Sequence, residues 1–219
     1  MNISWLGHSC FEIREKIDGK EVVVVTDPYN KDTGLFPPKL KADVVTISHH
    51  HFDHDFLEKV SGNNEDKFQV FDNPGEYETK KVFLTGIMSA HDKNEGDKLG
   101  FNTIFRIEME DMIVVHLGDL GAKLTEKQVE EIGEVDVLLV PVGGKYTLNG
   151  NEAAEVVRQI EPRLVIPMHY KIPGLTIDIG DEKAFIKEMG NKAESLPRLK
   201  ITRKDLPEDN IRVVVLEKE

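Results

Sequence analysis

The layout of this 219-residue sequence fits an α+β fold with two β-sheets packed together and helices outside, an architecture that periodicity alone does not fix. Three observations carry that reading. Strand patterns crowd the first half of the chain, and helical patterns are interleaved only later. The run Val22-Val23-Val24-Val25 is continuous rather than alternating, as in a strand buried on both faces. A polar, histidine-rich segment then follows a second apolar run at once, at the place where open α/β sheets carry their sites.

The elements follow in chain order. Short strands at 3–6 and 11–14 flank Gly7-His8-Ser9, and Asp18-Gly19 is a hairpin signal before a strand at 22–26. Asp27-Pro28 closes that strand, since proline has no N–H for the ladder. Residues 35–40, with Pro37-Pro38, read as a loop. The next buried strand covers 43–48, and 55–60 reads as a short helix. Further strands are expected at 68–71, 82–87, 103–109, 113–117, Val137–Pro141, Leu164–Met168 and Arg212–Leu216. Helices are expected at Glu126–Ile132, 152–160 and 182–189. The first has Thr125 as N-cap with Gln128 three residues on, a capping box. The second starts from Asn151 as its cap and is closed by Pro162.

The chain length suits one well-buried domain, 1–219, and no linker, repeat or low-complexity segment divides it. Lys and Arg number 28 against 40 Asp and Glu, a net charge of −12. That balance disfavours nucleic acid as partner, because such binding draws on cations that neutralise phosphates. No apolar run approaches a membrane span, and the start Met1-Asn2-Ile3-Ser4-Trp5 lacks the basic and apolar regions of a signal peptide. Cys10 is the only cysteine, so no intrachain disulfide forms and a reducing cytoplasm is the expected home.

Residues 49–54, His-His-His-Phe-Asp-His, hold four of the eight histidines. Neutral imidazoles and a carboxylate are the ligands that a borderline-soft cation such as Zn²⁺ accepts. Side chains at i and i+2 of an extended stretch point the same way, so His49 and His51 can grip one ion. His50 then points away. Asp53 and His54 face a second ion if the chain turns there, which gives one short segment two half-sites. The segment is internal and interrupted, unlike a purification tag.

His91, Asp119 and His169 each follow a predicted strand and are candidates to complete the two shells. A lone histidine is more often a satisfied polar residue than a ligand. Recurrence at strand ends beside the first motif reverses that expectation. Gly118 and Gly121, flanking Asp119, would let the backbone turn tightly and let metals approach.

Taken in order, His49-x-His51-x-Asp53-His54, His91, Asp119 and His169 resemble the metallo-β-lactamase superfamily. Trp5-Leu6-Gly7-His8-Ser9, Asp27-Pro28, His116-x-Gly118-Asp119 and 141–147 (Pro-Val-Gly-Gly-Lys-Tyr-Thr) resemble its metal-dependent hydrolase branch, which includes ascorbate-6-phosphate lactonase-like proteins. The resemblance implies an αββα four-layer sandwich with the site at one edge between the sheets. It also implies a ligand set: His49, His51 and His91 for a first metal, Asp53, His54 and His169 for a second, and Asp119 bridging both. Two divalent ions are therefore expected, Zn first, with Mn, Fe and Ni accepted by the same ligands. Homo-oligomer formation is left open.

Open positions on two such ions mark a catalytic site, with a hydroxide bridging the metals as the expected nucleophile toward a lactone, ester or phosphoester. Asp53 is expected to orient it or carry a proton. His8, Lys145, Tyr146 and Tyr170 are candidate substrate contacts, each with a plain packing or turn role as its alternative. His116 is expected to support a ligand rather than be one, and Cys10 to be a buried small hydrophobe. The rivals to this hydrolase are a phosphodiesterase or ribonuclease of the transfer-RNA processing type, a mononuclear-iron thiol dioxygenase and a non-catalytic metal-binding protein. The first commonly carries a basic docking arm, which this acidic chain lacks.

Overall fold

Val22 and Val24 enter one hydrophobic cluster, and Val23 and Val25 enter another. This is the two-sided burial that the unbroken valine run implies, because successive strand side chains point to opposite faces. The computed structural model describes residues 1–63, 67–94 and 96–219. Its strands are β1 (Asn2–Gly7), β2 (Cys10–Ile17), β3 (Lys20–Thr26), β4 (Leu40–Ala42), β5 (Val44–Thr46), β6 (Val60–Gly62), β7 (Gln69–Phe71) and β8 (Gly75–Thr79). They continue with β9 (Val82–Ala90), β10 (Phe101–Met109), β11 (Met112–His116), β12 (Val137–Pro141), β13 (Leu164–Met168), β14 (Glu194–Leu196), β15 (Leu199–Lys200) and β16 (Arg212–Leu216). The α-helices are α1 (Glu126–Ile132), α2 (Gly150–Ile160) and α3 (Lys183–Glu188).

One sheet has the order β15-β1-β2-β3-β5-β7 and the other β14-β16-β13-β12-β11-β10-β9-β8. The larger cluster joins them through Ile3, Trp5 and Phe11 of the first sheet and Ile104, Val114 and Leu139 of the second. Strands β12 and β13 are buried at every residue, and α2 adds Ala153, Val156, Val157 and Ile160 to the same cluster. The smaller cluster is covered differently. Leu35, Leu40, Leu175 and Ile179 lie over Val23, Val25 and Val45, so loops and the β4–β6 ribbon close the first sheet. The architecture is an α+β sandwich. No helix among the described residues is long and apolar enough to cross a membrane.

Topology places the site. β3, β5 and β7 run parallel, as do β11, β12 and β13. β1 and β3 are both antiparallel to β2, and β9 and β11 are both antiparallel to β10. The carboxyl ends of β1, β3 and β5 therefore point one way in the first sheet and those of β9, β11 and β13 one way in the second, and the residues that follow them, among them His8, the 49–54 segment, His91, Asp119 and His169, meet at one edge.

Departures from the sequence reading are local. Residues 55–60 form a 3₁₀ turn at Leu57–Lys59 and not a helix, because Val60 is extended and pairs with Leu40. The cap of α2 is Asn149 rather than Asn151. Its side chain accepts from the N–H groups of Asn151 and Glu152, and Glu152 reaches back to the Asn149 N–H. The α1 capping box of Thr125 and Gln128 is present as expected.

Candidate metal centre

His49 and His51 stand with ring centroids 4.5 Å apart, and His91 lies 4.5 Å from His49. The chain then turns, with the His54 N–H donating to the His51 carbonyl at 2.9 Å. That turn sends His54 to the other side, where one ligand atom each of His8, Asp53, His54 and His169 lies within 4.8 Å of the rest. His49, His51 and His91 form a second such group, and His49, His54 and Asp119 link the two. His50 points outward, toward Asp55 and Asp72.

Asp119 is the hub. Its Oδ2 lies 3.2 Å from His169 Nε2, 3.3 Å from His54 Nε2 and 3.6 Å from His91 Nε2. Burial works against its charge, but the His169 and His54 imidazoles hold the carboxyl well below the ordinary range. The turn that presents it depends on glycine. Gly118 has φ +55, and a Cβ there would stand 2.2 Å from Asn102 Oδ1 and 2.5 Å from Ser48 Cβ. A Cβ at Gly121 would stand 2.3 Å from the His91 carbonyl oxygen. Room for neighbouring protein, more than room for a metal, is what these glycines provide. Asn102 then accepts from the Asp119 N–H at 2.8 Å and donates to the Leu117 carbonyl at 2.9 Å.

Asp27, noted in the sequence only for ending a strand and within the resemblance, sits beneath the ligands and is fully buried. Its Oδ1 accepts from the Ser48 N–H at 2.7 Å. Its Oδ2 accepts from Ser48 Oγ–H at 2.6 Å and from His54 Nδ1–H at 2.9 Å. Because Ser48 gives its one hydroxyl proton to Asp27, it accepts from His49 Nδ1–H at 3.0 Å. One carboxylate thus sets the tautomers of two histidines, and both Nε2 atoms are turned to the cluster. Burial, and then the charge of His54, push His49 down to about 2, so its ring is neutral. Burial also opposes protonation of His54, but Asp119 and Asp27 raise its pKa well above the ordinary value.

His8 is fully buried, and its Nε2–H donates to Asp53 Oδ2 at 3.0 Å. Burial alone would raise the Asp53 pKa, but this bond and the nearby His54 charge lower it below the ordinary range. Burial lowers His8 itself to about 4. His8 and His169 both hold left-handed backbone, φ 56 and 51. The His8 carbonyl accepts from His169 N–H at 3.1 Å and from Trp5 Nε1–H at 2.9 Å. Neither His8 nor Tyr170 lines the cavity over the centre. Tyr170 is buried and stacked on Trp5 with centroids 4.9 Å apart. Tyr146 does line that cavity, and Lys145 at its rim is paired with Asp178 at 2.5 Å. His116 donates through Nε2 to the Ser9 carbonyl at 2.9 Å and accepts the Gly118 N–H, so it acts on the turn before Asp119. Cys10 is buried and free.

The donor set fits divalent metal. Among the described residues, His49 Nε2, His54 Nε2 and Asp119 Oδ1 are buried without a hydrogen-bond partner. Buried polar atoms left unpaired are costly unless something else engages them. Imidazole nitrogens with carboxylate oxygens are the donors that Zn²⁺, Mn²⁺, Fe²⁺ and Ni²⁺ accept.

Comparison with known proteins agrees with this chemistry. Residues 2–169 match the profile of the β-lactamase superfamily domain. A UPF0173 metal-dependent hydrolase of Thermoplasma acidophilum is 32% identical over 196 residues, 78% of this chain and 83% of that protein. One from Methanopyrus kandleri is 28% identical, covering 89% of this chain and 95% of its own length. A crystal structure from Thermotoga maritima, a proposed zinc-dependent hydrolase of the metallo-β-lactamase superfamily, superposes with TM-score 0.78. It is 39% identical and covers 99% of each chain.

Proposed function

The chain belongs to the metallo-β-lactamase superfamily and is a metal-dependent hydrolase, and from that premise we propose that it uses two divalent ions to hydrolyse a small-molecule lactone, ester or phosphoester. His49, His51 and His91 would hold one ion, Asp53, His54 and His169 the other, with Asp119 shared, and residues 1–219 would act as one catalytic domain. The observation that carries the reading is the approach of three imidazole nitrogens to a single Asp119 oxygen, at 3.2, 3.3 and 3.6 Å. Ions of this kind, when bound, polarise a substrate oxygen and make a water nucleophilic near neutral pH.

The chain's own residues do the rest. Asp27 and Ser48 engage Nδ1 of His54 and His49, so that the Nε2 atoms of both rings would be the ones to meet an ion. Asp53 borders the cavity, and His8 fixes its Oδ2, which leaves Oδ1 to take a proton during hydrolysis.

The test is elemental analysis of untagged protein, together with hydrolysis of a lactone, a thioester and bis-p-nitrophenyl phosphate. Two divalent ions per chain, with turnover abolished in Asp119→Ala, is the expected result. One iron with oxygen uptake would replace the reading by oxygenase chemistry, and no metal after reconstitution would end it.

A further inference from the structure

The cavity over the ligands encloses about 560 Å³. His51, Asp53, His91, Asp119 and His169 border it on the side of the metal centre. Away from them the lining changes character: Phe52, Leu99, Tyr146 and Ile177 supply apolar surface, beside Thr176 and the carboxylate of Asp178. Phe52 is 52% exposed and Tyr146 38% exposed, so both rings offer area that a ligand can cover.

Among the described residues no Lys or Arg lines this cavity. Two amino groups of the flanking loops, Lys145 and Lys171, are engaged. Lys145 Nζ lies 2.5 Å from Asp178 Oδ2 and 5.4 Å from the centroid of the Tyr146 ring. Lys171 Nζ donates to the carbonyls of Leu175 at 2.5 Å and Ile177 at 3.0 Å. A phosphate or carboxylate carried away from the reacting bond would meet apolar walls and the Asp178 carboxylate. It would lose hydration without gaining a cation. An alkyl or aryl group in the same place would bury apolar area on both sides.

We propose that the substrate is an ester or lactone whose acyl part is uncharged and apolar, seated against Phe52, Leu99, Tyr146 and Ile177, and that substrates phosphorylated away from the reacting bond are excluded. The inference rests on the hydrolytic reading above and narrows its substrate class. It separates the roles of the two parts of the cavity: the ligands handle the reacting group, and the apolar wall selects what is attached to it.

Hydroxamic acids test the wall without requiring turnover, because their metal-binding head is constant while the tail varies. Acetohydroxamate, butanohydroxamate, hexanohydroxamate and 6-phosphonohexanohydroxamate are titrated calorimetrically into the metal-loaded protein, with metal content measured on the same sample. Affinity should rise about fourfold per methylene that enters the cavity. The phosphonate-ended tail should bind at least tenfold more weakly than hexanohydroxamate. Ile177→Lys should reverse that order by placing a cation on the wall. A flat alkyl series, or a tighter phosphonate tail in the natural sequence, would overturn the proposal.

Failure of every hydroxamate, with no metal found, would instead count against the metal reading. The wall is then probed with N-hexylacetamide against 6-acetamidohexyl phosphate, neither of which needs a metal. Preference for the neutral amide would keep the proposal; equal binding, tighter phosphate binding or no binding of either would reject it.

Discussion

Asp27→Asn replaces one oxygen by an NH₂ group and otherwise preserves shape, so it isolates what the carboxylate contributes. The oxygen that remains can still accept the Ser48 N–H. The amide nitrogen then faces His54 Nδ1 and Ser48 Oγ, which stand 2.9 and 2.6 Å from the native oxygen. Two donors cannot share that contact, so His54 must move its proton to Nε2, the atom turned toward Asp119. Losing a charge-assisted bond of this kind costs about 1.5–3 kcal/mol. In metal affinity that is roughly ten- to a hundredfold, the range found when the outer partner of a ligating histidine is removed. The assay is chelator competition against a zinc-responsive dye, with the imidazole tautomer read from ¹⁵N shifts. Asp72→Asn is the control, because Asp72 meets His50 on the outside of the centre and its loss should leave affinity unchanged. If Asp27→Asn stays within twofold of the natural protein and His54 keeps its proton on Nδ1, the tautomer argument is wrong.

Ser48→Ala should weaken metal binding less than Asp27→Asn, since it releases His49 while His54 keeps its carboxylate; the same competition assay decides. Gly118→Ala should destabilise by about 3 kcal/mol, from left-handed strain plus the clash at Asn102 and Ser48, and lower Tm by roughly 6–12 °C in a calorimetric scan. Asp53→Ala should weaken binding of the second ion and lose most turnover; retained metal with near-normal turnover would remove the proton role from Asp53. At acid pH the buried Asp43 is informative. Burial pushes its pKa up, but Lys80 at 2.6 Å, Asn63 at 2.9 Å and the Val23 N–H at 2.9 Å hold it below the ordinary carboxyl value. The stability it adds is therefore complete above about pH 3.9 and is lost as pH falls from there through the depressed folded value. Urea midpoints at pH 7 and pH 3 should show the natural protein losing more than Asp43→Asn over that interval.

Much of this arrangement was legible in the chain, for definite reasons. Long apolar runs such as Val22–Val25 and 137–141 announce buried strands, and the structure has them as β3 and β12. The 49–54 segment carries its own geometry, because two-residue spacing and a turn are local properties. His91, Asp119 and His169 stand out in the sequence by their positions after strands, although periodicity alone does not say that those strands end at one edge. The short strands β4, β6, β8, β14 and β15 were missed: each has two to five residues, and tertiary pairing rather than alternation defines them. Asp27, Ser48 and Asn102 escaped as supports because a buried acceptor or amide is recognisable only once its partner is in place. His8 stands out by its motif, but its bond to Asp53 joins residues far apart in the chain and exists only once both are folded into place.

Three hydrogen bonds stitch the two sheets beneath the centre: His169 N–H to His8, Thr103 N–H to Ser48, and His116 to Ser9. Each joins residues far apart in the chain, and each lies directly beside a ligand or its support. The cup is therefore a record of synthesis as well as a reaction site. At roughly 5–20 residues per second, His54 leaves the ribosome several seconds before His169 does. During that interval only part of the cup exists, and under the proposed ligand set an ion held by 49–54 would lack Asp119 and His169. On the proposed ligand set, firm metal binding would require a chain made at least as far as His169 with its two sheets joined.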